Sequence, residues 1–425
     1  MKYKVLYNKI AAVLVAAAVV SVIGMLSTAV SCSRDSEQSM ERVSPEAEGM
    51  DAARLALIDK EVDKAIRDGL IPGAVVAVVR NDKIVYLKPF GNKSVVPDTL
   101  DMTENAIFDL ASVSKCVGTT MAVMQMIEKG QIRPGDYVER YIPGFEPWIS
   151  DGASEKITVR HLLTHSSGLS PYLSVADYIA ENGEYNPSGM EEYLAHKSGR
   201  NFRPGSDFMY SCLNFITLQL IVEKISGQCL SDYVEKNVFA PLGLVNTLYM
   251  PLGPDGQPLR KQYLDKFVPT EVQSDGKPLI GQVHDPLARL INKGNSGNAG
   301  VFSDAEGLCK ICAAIMNGGA YKDARILSPC AVKLMCEVPE DIEPSVGRAL
   351  GWDHHSSHSG PRGDLFDREY TICHTGYTGT SVTIDTRSRT ALVILSHRVH
   401  PKDKGSLGRF RSTLANIVAS AIVSD

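Results

Sequence analysis

The chain has 425 residues, 44% of them hydrophobic and 22% charged, which is ordinary globular composition and enough length for one large domain or two. A formal net charge of −5 with no long basic run argues against a nucleic-acid partner. No internal repeat or low-complexity block stands out.

Residues 1–31 read as a targeting segment, because Lys2, Lys4 and Lys9 precede an apolar run from Ile10 to Leu26. The run ends in Ala29-Val30-Ser31-Cys32, small residues before a cysteine, which is similar to a bacterial lipoprotein cleavage box with Cys32 as the lipid-bearing residue. An exported protein held at the cell envelope by a lipid anchor is therefore expected, with residues 32–49 as a tether and 50–425 as the folded domain. The competing reading is an uncleaved anchor helix, since the run is long for a signal segment.

Beyond the tether, Leu55, Ile58, Val62 and Ile66 recur at helical spacing and predict a helix over Ala52 to Arg67. Ala74 to Val79 and Ile84 to Leu87 flank Arg80-Asn81-Asp82-Lys83, the pattern of a β-hairpin. An apolar run from Val117 to Ile127 predicts a helix ending near Lys129-Gly130. From there to about Asn317 the chain is mostly helical runs broken by Pro and Gly loops, among them Val159 to Leu163, Leu213 to Ile225 and Ala305 to Met316. Strands return at Tyr370 to Thr375, Thr380 to Asp385 and Ala391 to Ser396, and Leu407 to Val423 closes the chain as a helix. This order predicts an α/β fold of the α+β type: an antiparallel sheet from the N- and C-terminal segments, flanked by helices, with an inserted, mostly helical lobe.

Eight cysteines remain beside Cys32, scattered along a domain large enough to need no staples. Cys309-Lys310-Ile311-Cys312 lies in a helical run without a second ligand pair and reads as core packing. His354-His355-x-x-His358 has no carboxylate or cysteine at a zinc-site spacing beside it and reads as a polar loop; no metal is expected.

The stretch that carries chemistry is Ser112-Val113-Ser114-Lys115, ahead of the Val117 run. A serine and a lysine three residues apart at a helix start lie on one face, so the amine can reach the hydroxyl and activate it as a nucleophile. Spacing alone does not decide, since Ser274-Asp275-Gly276-Lys277 repeats it in a turn-like stretch. Two further stretches follow in order: Pro204-Gly205-x-x-Phe208-x-Tyr210-Ser211-Cys212, with Ser211 a candidate helix cap, and His374-Thr375-Gly376 on a late strand.

Together these resemble the penicillin-recognising serine hydrolases, which include class C β-lactamases, D-Ala-D-Ala carboxypeptidases, muropeptide amidases and related esterases. The resemblance runs from about Met50 to the C terminus and includes Leu162 to Leu169, Pro241-Leu242-Gly243-Leu244 and Ala299 to Ser303. Read from the residues, Ser112 is the nucleophile and its own N–H an oxyanion donor. Lys115 serves as base if burial lowers its pKa; Tyr210 is the phenolate alternative. The resemblance implies that Tyr210 shares the base role and protonates the leaving group, and that the N–H of Tyr377 completes the oxyanion hole. His374, Thr375 and Gly376 would line the substrate site, and no cofactor is required. His161 and His165 read as structural.

Two departures stand out. Cys212 occupies a position where many relatives have asparagine, and it has neither amide donor nor carbonyl acceptor. Asn214 is a candidate substitute, although on a helix it points about 200° around from Cys212. His374 stands where β-lactamases usually carry lysine, and a neutral imidazole attracts a substrate carboxylate less. Both favour a peptidase, amidase or esterase over an efficient β-lactamase, with a weak β-lactamase or a cell-wall fragment-binding module on the same fold as alternatives. Similarity around Phe267 to Glu271, Gly281 to Asp285 and Ser396 to Pro401 points to peptidoglycan-directed relatives. In that setting the substrate is a muropeptide or another small molecule, and His284 and Arg398 are candidates to touch its carboxylate or sugar. For these two the alternatives are a surface loop and a structural ion pair.

Overall fold

The computed structural model describes residues 39–184 and 186–423. The expected signal segment and Cys32 lie outside these residues. From Arg42 onward the chain forms one compact unit. In chain order its main elements are α1 (Leu57–Arg67), β1 (Gly73–Arg80), β2 (Lys83–Ser94), β3 (Leu100–Asp101), α2 (Met121–Glu128), α3 (Cys212–Ser226), α4 (Ala305–Met316), β4 (Thr371–Thr375), β5 (Ser381–Asp385), β6 (Thr390–Ser396) and α5 (Gly408–Ser420).

The strands form one antiparallel sheet in the order β4-β5-β6-β1-β2-β3, so the two ends of the chain meet where β1 pairs with β6, Ala74 opposite Ser396 and Arg80 opposite Thr390. Strand β1 is buried along its whole length, which its Val-rich, uncharged centre permits. Val76 and Val78 face Val62 of α1 and Leu414 and Val418 of α5 in one apolar cluster. Helix α4 packs on β1 and β6 as well; because side chains alternate along a strand, the opposite face of the sheet is the one left for it. The hairpin between β1 and β2 turns on Asn81 and Asp82, both with positive φ (47° and 68°), as the right-handed twist of the strands requires of a two-residue turn.

The helical lobe is inserted between β3 and β4, as its Pro- and Gly-broken runs predict. Three boundaries differ from the sequence reading. The first helix breaks at Ala56 into Ala52–Leu55 and Leu57–Arg67. Strand β2 runs past Leu87 to Ser94, and Pro89 is tolerated where β2 has no outer partner, since β3 pairs only with Asn92 and Ser94. The tether expected to reach residue 49 stops earlier: Val43 donates its N–H to the Ile84 carbonyl (3.1 Å), and the Glu48 carbonyl accepts from the buried Arg80 (2.8 Å).

Ser274 and Lys277 lie in a tight turn closed by Gln273 N–H to Lys277 O (2.8 Å), with no helix behind them. Cys309 and Cys312 are both buried in α4.

Candidate active site

Three backbone segments bring the site together. Phe108–Asp109 pairs with Val301–Ser303 in a small second sheet, and directly after it the chain turns at Ala111, φ +45°, to present Ser112. That left-handed alanine is held by Asp109, whose carboxylate accepts the Ala111 N–H (2.8 Å) and, from across the chain, the His284 N–H (2.7 Å). The turn after β4 is pinned to the same strand, for Thr378 and Thr380 donate their hydroxyls to the Asp109 and Leu110 carbonyls (2.8 and 3.0 Å). A Cβ at Gly376 would lie 2.4 Å from the Leu110 carbonyl, so only glycine lets this approach occur. The N–H groups of Ser112 and Tyr377 donate to no group among the described residues.

Beyond Ser112 the helix opens with a π-helical stretch, Lys115–Thr120, before α2. The Lys115 side chain is fully buried; its ammonium donates to the Ser112 hydroxyl (3.0 Å) and the Asn298 carbonyl (2.7 Å) and lies 3.7 Å from the Cys212 sulfur. Asn298 precedes the small sheet, whose Val301 strand starts three residues later; its side chain accepts from Ser296 (2.6 Å) and donates to Asp285 (3.2 Å). Sequence reasoning passed over Asn298 because its contribution is a backbone carbonyl, which any residue carries.

Tyr210 sits at the entry to α3, capped by Ser211, whose hydroxyl accepts the Asn214 N–H. The ammonium of Lys115 is 5.1 Å from the Tyr210 ring centre, and the buried Tyr210 hydroxyl has no hydrogen bond of normal geometry, with Ser112 and Lys115 as its polar neighbours. His165, which the sequence reading sets aside, brackets this tyrosine: its carbonyl accepts the Met209 N–H (3.0 Å), its Nδ1 accepts the Ser211 N–H (3.1 Å), and its ring lies 4.3 Å from the Tyr210 ring.

Protonation departs from expectation. Burial pushes the Lys115 pKa down, but its interactions with Cys212, Tyr210 and Asp285, whose anionic forms would favour the ammonium, outweigh it and raise it above the ordinary lysine value. The apolar helix face alone suggested a depressed lysine; the polar partners at the entry to α3 and at Asp285 reverse the sign. Burial likewise raises Tyr210, and the Lys115 charge recovers only part of that, so the phenol is not held ionised. Cys212 is raised by burial too and is a thiol at neutral pH. His374 is driven well below the imidazole range by burial, then by the Arg348 and Lys115 charges, and is neutral.

Ser112, Tyr210, His374, Thr375, Gly376, Tyr377 and Arg398 line one cavity of about 550 Å³. Asn214 does not join them: it donates toward His165 Nδ1 (3.2 Å) and accepts from Ser167 (2.5 Å), as its helix phase requires, and so does not replace the amide missing at Cys212. Arg398 is neutralised by an ion pair with Asp403 and covers the Tyr377 ring (4.5 Å), which favours the structural alternative for it. His284, in the loop before residues 287–291, stacks on Tyr377 (5.7 Å) and meets Glu271 (3.2 Å).

Residues 58–415 match the β-lactamase family model, more than half of the chain. The chain belongs to the β-lactamase family. Family membership makes it a serine hydrolase of the β-lactamase fold. Among curated members it is 28% identical over 396 residues to a "Putative D-alanyl-D-alanine carboxypeptidase" of Escherichia coli O157:H7, covering 88% of this chain and 89% of that one. Solved structures share the fold: EstCE1, a hydrolase with promiscuous acyltransferase activity, at a TM-score of 0.67 and 23% identity (86% of this chain, 99% of that one), and a β-lactamase/D-alanine carboxypeptidase of Pseudomonas syringae at 0.64 and 19% (87% and 99%). Among the described residues no helix is long and apolar enough to cross a membrane.

Proposed function

We propose that the protein is an exported serine hydrolase that cleaves amide or ester bonds of peptidoglycan-derived peptides through an acyl-enzyme on Ser112. The observation that carries this reading is the 3.0 Å contact between the buried Lys115 ammonium and the Ser112 hydroxyl, with the Tyr210 hydroxyl buried next to both. In the resting site Lys115 and Tyr210 both hold their protons, so the active form is the one from which this pair has lost one. In that form the pair accepts the Ser112 proton as Oγ attacks the scissile carbonyl. The oxyanion is held by the Ser112 and Tyr377 N–H groups; Tyr210 returns the proton to the leaving group as the tetrahedral adduct collapses. Water then attacks the ester, and Ser112 regains its proton.

The carboxypeptidase name of the E. coli relative supports a peptide substrate, and the exposed Tyr377 beside His284 offers an aromatic rim for it. The export reading rests on residues 1–31, with Cys32 as the lipidated residue at the envelope. The test is turnover by purified protein of muropeptides alongside p-nitrophenyl esters. Release of D-alanine or of a cleaved stem peptide supports the reading; ester hydrolysis without any muropeptide cleavage makes the protein an esterase. Labelling with palmitate that is equal in wild type and Cys32→Ala would remove the lipid anchor.

A further inference from the structure

Among the described residues the buried Lys115 ammonium touches no carboxylate: it meets the Ser112 hydroxyl (3.0 Å), the Asn298 carbonyl (2.7 Å) and the Cys212 sulfur (3.7 Å). A buried charge met only by neutral groups is costly. Cys212 has neither amide nor carbonyl on its side chain to steer the ammonium, so the Asn298 carbonyl is its shortest hold.

Asn298 is itself held from the far side. Its buried amide donates to Asp285 Oδ1 (3.2 Å), which also accepts the Ala288 N–H (2.8 Å), and Asp285 Oδ2 accepts the Tyr172 hydroxyl (3.1 Å). Asp285 makes no ion pair among the described residues. Arg289, the basic residue on its own turn, directs Nη1 to the Val283 and His284 carbonyls instead (2.6 and 2.7 Å).

The other titratable groups around Lys115 leave its charge unbalanced. Tyr210 and Cys212, at the entry to α3, keep their protons, and burial keeps the adjacent Cys116 a thiol. His165, in the loop after Val159–Leu163, and His374, on β4, are neutral, and the buried Arg348 is matched by Asp353. Asp285 is thus the carboxylate that favours the ammonium, one residue away across Asn298.

We propose that Asp285 is the positioning residue of Lys115, fixing through the Asn298 side chain the carbonyl that holds the ammonium and supplying its counter-charge, a role that rests on the serine-hydrolase reading above. The relay provides the orientation that Cys212 cannot.

The test is the pH dependence of fluorophosphonate labelling in Asp285→Asn. This change removes the charge and keeps the hydrogen bonds, since the amide oxygen still accepts from Asn298 and Ala288 and the Tyr172 hydroxyl can turn to accept from the amide nitrogen. Loss of a negative charge disfavours the ammonium, so the alkaline limb is expected to move down by about one pH unit. Tyr172→Phe strips a hydrogen bond from Asp285 but leaves its charge, and there the limb is expected to stay. A limb that holds its place in Asp285→Asn while only the plateau drops, or one that moves down as far in Tyr172→Phe, would overturn the assignment.

A second readout needs no turnover. Lys115 is titrated by NMR in protein carrying isotope-labelled lysine, its signal assigned by its loss in Lys115→Ala, and Asp285→Asn is compared with Asp285 intact, both in a Ser112→Ala background. A lowered midpoint in Asp285→Asn supports the assignment, and an equal midpoint overturns it. Labelling that persists in Ser112→Ala removes the hydrolase reading and leaves the titration to decide this one.

Discussion

The imidazole of His165 lies against the phenol of Tyr210, ring centres 4.3 Å apart and planes inclined by 31°, while backbone bonds from Met209 and Ser211 to His165 fasten the chain on either side of that tyrosine. His165 therefore acts as a positioning residue for Tyr210. Its Nδ1 accepts the Ser211 N–H, so the ring must be neutral, and burial keeps it so. His165→Phe keeps the stacking and loses the acceptor. The expected result is a fall in kcat of about 10- to 100-fold with KM little changed, the mark of a misplaced proton carrier. A proportional rise in KM with kcat intact would instead place His165 on the substrate side.

Activity should rise with pH on the alkaline side. Lys115 and Tyr210 are both raised, so the form lacking one proton is a minority at neutral pH and grows as pH increases. His374 is lowered, so it is already neutral above mildly acidic pH and adds no inflection near 6.5. The second-order rate of fluorophosphonate labelling between pH 5 and 10 checks this. A limb near pH 6.5 that vanishes in His374→Gln would contradict it.

Lys115 lies between two potential nucleophiles, 3.0 Å from Ser112 Oγ and 3.7 Å from Cys212 Sγ. Burial keeps Cys212 a thiol, which is a poor nucleophile. Cys212→Ser should retain serine labelling within about threefold, and iodoacetamide at neutral pH should leave activity largely intact, given the thiolate dependence of alkylation. Loss of labelling in Cys212→Ser would transfer the nucleophile to sulfur.

Stability should fall on mild acidification. His161 is lowered to about 4 and His397 to about 3, both first by burial. For a base depressed in the folded state, the unfolded chain takes up the proton first. Stability is thus complete above the unfolded pKa and drops below it, by about 1.4 kcal/mol per pH unit per imidazole until the folded pKa is reached. Denaturant midpoints at pH 7 and pH 5 measure the slope, and His397→Gln should flatten it. An unchanged slope would mean that these imidazoles do not carry the acid sensitivity.

Much of this site is legible along the chain. The order of Ser112, Tyr210 and His374, the hairpin at Asn81-Asp82 and the helix phase that turns Asn214 away from Lys115 all follow from local spacing. What escapes is whatever depends on two distant segments meeting. The Asn298 carbonyl reaches Lys115 across 183 residues, and the ion pair of Arg348 with Asp353 beside β4 exists only once the sheet is built. The sign of the Lys115 shift escapes for the same cause: an apolar helix face predicts desolvation, whereas Tyr210 and Cys212 arrive from the distant entry to α3.

The central claim is that Ser112, served by Lys115, is the nucleophile. Intact-mass analysis after treatment with a fluorophosphonate tests it most directly. The account predicts one adduct per chain, located on Ser112, absent in Ser112→Ala and formed at least about 100-fold more slowly in Lys115→Ala, as removal of a nucleophile's base entails. An adduct that persists in Ser112→Ala, or labelling at full rate in Lys115→Ala, would contradict it.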